Sequence, residues 1–149
     1  ENASDGGYGA RVPATAGDWL VVGALIGIQA EGRSRWGAGV VRRMLHTDEH
    51  DCRVGIELLG RHAIAVRLAP SGVVSSFNAT RDNDPAILLT PKPDADRHVR
   101  LLLRASTYTE GQALEIRVRG QVDEIRPVRL VESTGEYDLA VFEVVGRIA

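Results

Sequence analysis

The sequence predicts an all-β protein made of two small antiparallel β-barrels in tandem, and three observations carry that prediction. Valine and isoleucine recur in short runs bounded by glycine, aspartate, asparagine or proline, the punctuation of strands and tight turns. Apolar and charged residues alternate as on a half-buried strand, most clearly at Leu114, Ile116 and Val118 against Glu115, Arg117 and Arg119. The two halves also resemble each other: residues 15–22 parallel 109–116 at an offset of 94, and residues 43–45 and 56–60 parallel 129–131 and 142–146 at an offset of 86. In that alignment Gly17 pairs with Gly111 and Gly60 with Gly146.

Taken in order, residues 8–12 read as a first strand that Pro13 ends, and Gly17-Asp18 opens a long strand over 19–29. A polar turn at 33–35 leads to a strand at 36–45, a hairpin loop at 46–51 and a returning strand at 52–59. Gly60-Arg61 turns the chain into a fifth strand at 63–68. Five strands with short connections suit a closed barrel, because closure hides their edges. Residues 69–96 hold four of the six prolines and read as a connector with one short strand at 86–89. Strands resume at 97–104, 114–118, 122–131 and 137–145. The alternation slips near Ile125, and Pro127 follows, so a bulge or sheet edge is expected there. The domains expected are a barrel over 1–74, and a connector with a second barrel over 75–149. Each is too small to bury much core alone.

Composition narrows the function. The 149 residues are 44% hydrophobic and 26% charged, which is globular rather than disordered. A net charge of −2 supplies no global basic field to gather nucleic acid or an anionic membrane. One cysteine, Cys52, excludes an internal disulfide framework and any multi-cysteine metal site. The longest apolar run, residues 20–28, falls short of the roughly 20 residues that a membrane helix requires. With no signal peptide visible and Glu1 standing first, the expectation is a trimmed piece of a longer cytoplasmic protein.

The N-terminal residues are the informative ones. Asn2-Ala3-Ser4-Asp5-Gly6-Gly7 fits an Asp/Asn-x-Ser-x-x-Gly pattern. A strand, a glycine-led strand, Gly37-Ala38-Gly39-Val40-Val41-Arg42 and the returning Arg53-Val54-Gly55-Ile56-Glu57-Leu58-Leu59 follow it. In motif and in order, residues 1–68 resemble the PilZ domains that bind cyclic di-GMP in bacteria. Short Asn and Ser side chains accept hydrogen bonds from local amides, and glycines let a planar ligand approach the backbone. The resemblance implies Asn2, Ser4, Gly6 and Gly7 as residues that meet a guanine of the ligand. The family's second motif, Arg-x-x-x-Arg, stands upstream of the first, and only Glu1 precedes Asn2 here. Arg33-Ser34-Arg35 and Arg42-Arg43 lie after the motif with other spacing, so the resemblance does not carry the phosphate role onto them.

Other constellations carry less. His46, His50 and Cys52 sit in an expected hairpin loop rather than at helical spacing, and read as solvated polar residues, not a metal site or a nucleophile. Asp82, Asp84, Asp94 and Asp96 lack the glycine-centred spacing of a calcium loop. No phosphate loop, dinucleotide fingerprint or nucleophile elbow is present. Trp19 and Trp36 read as core or rim residues, and Arg100, Arg104, Arg117 and Arg119 as a solvated basic stripe. The expectation is a non-catalytic regulatory module with no cofactor, no metal and cyclic di-GMP as its candidate ligand. A protein partner is expected too; the alternative is a scaffold or interaction module that keeps the barrel and binds no nucleotide.

Overall fold

The computed structural model describes residues 2–4, 7–13, 21–29, 35–46, 51–71, 84–90 and 92–148. Every regular element among them is a strand. The chain divides into two compact units, Glu1–Ala63 and Ile64–Ala149.

The first unit is a five-stranded antiparallel sheet. Its strands are β1 (Asn2–Ser4), β2 (Gly7–Pro13), β3 (Leu25–Gln29), β4 (Trp36–His46) and β5 (Asp51–Gly60), in the order β1-β2-β5-β4-β3. Val41, Val54 and Cys52 bury one face with Ala24, and Ile26, Met44 and Ile56 pack against them. Fully burying a side chain such as Val41 contributes about 1.5–3 kcal/mol. Residues of the other parity on β5 (Arg53, Gly55 and Glu57) therefore lie on the opposite, outer face.

The second unit is a closed six-stranded barrel. Its strands are β6 (Ile64–Pro70), β7 (Asp84–Leu88), β8 (His98–Arg104), β9 (Leu114–Val118), β10 (Gln121–Ser133) and β11 (Tyr137–Arg147), arranged β10-β11-β8-β7-β6-β9. Val66, Leu68, Leu101, Ile116, Ile125, Ala140 and Phe142 are among the residues filling it. The strand expected at 63–68 forms as β6 but belongs to this barrel, which moves the boundary from 74/75 to 63/64. Its partners decide that: β6 pairs with both β7 and β9, so the barrel closes and no edge is left there. The short strand foreseen inside the connector is likewise an integral barrel strand, β7.

The two units repeat one another at the level of individual residue pairs. The order β1-β2-β5-β4-β3 recurs as β7-β8-β11-β10-β9. Adding 86 to each number carries Ala38↔Gly60, Gly39↔Leu58, Val41↔Ile56 and Arg43↔Gly55 onto Glu124↔Gly146, Ile125↔Val144, Pro127↔Phe142 and Arg129↔Val141. Two register shifts travel with them: Ala38/Gly39 becomes Glu124/Ile125, and Val41/Arg43 becomes Pro127/Arg129. The irregularity expected near Ile125 and Pro127 is this duplicated pair of bulges. Adding 91 maps β2 onto β8, as Gly7↔Glu57 becomes His98↔Glu143. Adding 88 maps β3 onto β9, as Gln29↔Trp36 becomes Arg117↔Val122.

The offset for that last pair corrects one sequence match. Gly111, with φ of 80°, answers to Gly23, with φ of 97°, and not to Gly17, which lies outside the described residues. Both glycines take the left-handed backbone that opens the following strand, a conformation costly for other residues. The long strand expected from residue 19 is accordingly shorter, since a turn precedes Leu25. The strand β6 has no counterpart among the described residues of the first unit.

Candidate functional site

The motif residues form a hairpin. Asn2–Ser4 is a strand in its own right, registered on β2 as Asn2↔Gly9, Ala3↔Tyr8 and Ser4↔Gly7. Gly6, expected to contact ligand, lies with Asp5 outside the described residues. Asn2, Ser4, Gly7 and Gly9 share one parity of the pleat and hence one face.

Register extends that face across four strands in two rows. One runs Asn2–Gly9–Gly55–Arg43, and the next runs Ser4–Gly7–Glu57–Val40. Both have the parity of the outer face, although the second row ends on Val40, which is fully buried. Three inter-strand spacings separate Asn2 from Arg43, roughly 14 Å at about 4.8 Å each, and the two positions between them are glycines. The sequence pointed to Asn2, Ser4, Gly6 and Gly7, with Gly9 in the same glycine run, and withheld the phosphate role from Arg42-Arg43; it gave no reason to join Gly55 or Arg43 to the motif. The alternation of Gly7 and Gly9 is a local signal, whereas Gly55 and Arg43 join the row only through long-range register.

Arginines border the row. Arg42 Nε donates to Glu57 Oε1 at 2.7 Å, an exposed pair that contributes at most about 1 kcal/mol. Arg43 lies low across Gly55: a Cβ built on that glycine would stand 3.2 Å from Arg43 Nε and 3.6 Å from Nη2. The outward Arg53 follows two residues before Gly55 on β5. The first row therefore has a side-chain-free centre at Gly9 and Gly55 with Arg43 at its end, an arrangement suited to a flat anionic ligand.

The remaining expected residues are dispersed. Cys52 is only 1% exposed within the core, so it is a packing residue rather than an accessible nucleophile. His46 ends β4 at the surface, and residues 47–50, His50 among them, lie outside the described residues. Trp36 is exposed and lies over Gly27, where a Cβ would meet its Cε3 at 3.2 Å. Trp19 is not among the described residues. Arg100, Arg104, Arg117 and Arg119 are exposed, and Arg104 pairs with Asp84 at 3.0 Å.

Among the described residues, Asp94, Asp96 and His98 bring possible ligand atoms within 4.8 Å of one another. Their geometry is that of a turn, with Asp94 Oδ1 accepting the N–H of Asp96 at 2.9 Å and of His98 at 2.8 Å. The His98 amide is the main reason the Asp94 carboxyl sits below its ordinary range; desolvation opposes it, while the Asp96 amide and the His98 charge assist.

Asp138 was not singled out from the sequence. It is a buried carboxylate in the second unit, 2% exposed. Ser133 Oγ donates to its Oδ1 at 2.6 Å, and the Tyr108 N–H donates to its Oδ2 at 3.0 Å. Burial by itself would raise its pKa. Hydrogen bonds from Ser133 and from the amides of Tyr108, Ser106 and Thr107 outweigh burial and hold it below the usual value. Its work is to pin the turn between β8 and β9.

Comparison with protein families matches the two units separately. Residues 1–64 match the model described as the middle PilZ domain of the cyclic-di-GMP receptor FimW, and residues 73–145 match the FimW C-terminal β-barrel domain. Neither the curated proteins nor the solved structures yielded a match.

Proposed function

The chain belongs to the PilZ-type cyclic di-GMP receptor family, and we propose that it is a non-catalytic regulatory module receiving cyclic di-GMP on the first unit's outer face. The observation that carries this reading is the register of the motif hairpin. It sets Asn2 and Ser4 beside Gly7, Gly9 and Gly55 on one surface. Asn2 and Ser4 supply neutral hydrogen bonds of about 1 kcal/mol net each, and the glycines allow a purine to approach the backbone. Binding then alters how the module docks on a protein partner.

Calorimetric titration of the native protein with cyclic di-GMP should show saturable heat, and replacing Asn2 and Ser4 together by alanine should weaken the binding. Absence of saturable heat from the native protein would favour the second reading, a protein-interaction module without nucleotide. Exposed Val128, Leu130, Val131, Val145 and Ile148 on and beside β10 and β11 speak for that alternative.

A further inference from the structure

The molecule contains its own control for the glycines at this site. The second unit has the same strand order and pairing registers as the first, so the fold by itself dictates little about which side chains stand there. At the positions of Gly7, Gly9 and Gly55 the second unit carries His98, Arg100 and Val141. Glycine inside a strand costs conformational entropy and packs nothing. Three such residues at neighbouring register positions are thus not required by the architecture. They clear one surface of the first unit only, on the strand that carries the motif and on its neighbour.

Arg43 lies across that cleared surface. Its neighbour Arg42 is tied to Glu57, but Arg43 makes no ion pair or hydrogen bond to any other described residue. In the second unit the same register position is Arg129, opposite Val141 rather than a glycine. Only in the first unit, then, does a guanidinium extend low over a glycine that is itself paired with a second glycine, Gly9, in line with Asn2.

We propose that Arg43 is a phosphate-contacting residue of the cyclic di-GMP site, reaching the ligand across Gly55 from the side opposite the Asn2/Ser4 hairpin. This rests on the receptor reading above and adds to it a cation that stands after the motif in sequence and on a different strand. A guanidinium delivers two parallel N–H donors to a phosphate. Its loss should weaken binding about ten- to a hundredfold. Gly55 holds the seat of that side chain. A methyl at residue 55 would meet the flexible Arg43 side chain, not backbone, so Gly55→Ala should fold normally and displace the guanidinium.

The test uses the longest native chain containing these residues, labelled with ¹⁵N and titrated with cyclic di-GMP to millimolar concentration. Backbone amides of residues 2–9 and the Arg43 Nε–H resonance should shift together along one binding curve. Arg43→Ala should weaken binding about tenfold or more, and Arg43→Lys less. Gly55→Ala should weaken it similarly with an unchanged melting temperature. Combining Arg43→Ala with Gly55→Ala should add little, because both remove the same contact. If the motif amides shift while Arg43 does not, and Arg43→Ala leaves affinity unchanged, the assignment of Arg43 is overturned and the receptor reading stands. If neither responds, the receptor reading falls and takes this inference with it.

Discussion

Removing the Asp138 carboxylate should be among the most destabilising single changes in the second unit. The side chain is 2% exposed and accepts the Ser133 hydroxyl at 2.6 Å and the Tyr108 amide at 3.0 Å, with the Ser106 and Thr107 amides adding to the set. Hydrogen bonds to a charged group contribute about 1.5–3 kcal/mol each, and a donor left unsatisfied costs about 1–3 kcal/mol. Some of the freed donors lie in a turn that water can reach, so Asp138→Ala should cost about 3–4 kcal/mol. That is a large share of the roughly 5–15 kcal/mol that holds a domain folded. Asp138→Asn keeps the volume and one acceptor oxygen and should cost about 2 kcal/mol. The folded-state pKa is depressed relative to an unfolded value near 3.9. The carboxylate's contribution is therefore present in full above that value and is lost as pH falls through the folded pKa. Urea denaturation followed by circular dichroism at pH 7 and again near pH 3 reads both effects. The gap between wild type and Asp138→Asn should be wide at pH 7 and narrow in acid. Variants within 0.5 kcal/mol of wild type at pH 7, or a gap that does not change with pH, would refute the reasoning.

The other predictions concern packing and exposure. Gly39→Ala should cost about 1–3 kcal/mol, because a Cβ there would stand 2.7 Å from Ile28 Cδ1 and 2.8 Å from Ile56 Cγ2. Gly146→Ala should be near neutral, with nothing within 4 Å of the added atom; thermal melts of the two variants decide. Cys52 should resist a water-soluble thiol reagent in the native protein and react at once in denaturant, since it is 1% exposed. Rapid native labelling would contradict its place in the core.

What could be read from sequence was whatever depended on local alternation. Residues 114–118 and 137–145 declare themselves through their period and flanking turns, and both form strands close to those bounds. The match between residues 43–45 and 129–131 found true structural equivalents at Arg43/Arg129 and Met44/Leu130, next to the shared bulge, before a further shift at Leu130/Glu132 breaks it for Leu45. Where local pattern ran out, pairing decided. Residues 64–70 look like any other short strand, and only their hydrogen bonds to β7 and β9 assign them to the second unit. The match of Gly17 to Gly111 failed because turn glycines recur at similar intervals; the positive φ of Gly23 identifies the real counterpart. In the site, Asn2 and Ser4 were legible as a contiguous motif. Arg43 and Gly55 were not, since their relation to the motif exists only through β5. Asp138 was hidden for a related reason: its partners lie 5 and 30 residues away.

The most direct measurement is cyclic di-GMP affinity in the native protein, compared between wild type and the motif variants Asn2→Ala and Ser4→Ala. The receptor reading puts the ligand against the β1–β2 hairpin on the outer face. It predicts saturable binding by the wild type and about fivefold weaker binding for each variant, the loss of one neutral hydrogen bond of about 1 kcal/mol. Melting temperatures should be unchanged. Binding that is indifferent to both substitutions would place the ligand elsewhere, and a wild-type protein that binds nothing would contradict the receptor reading outright.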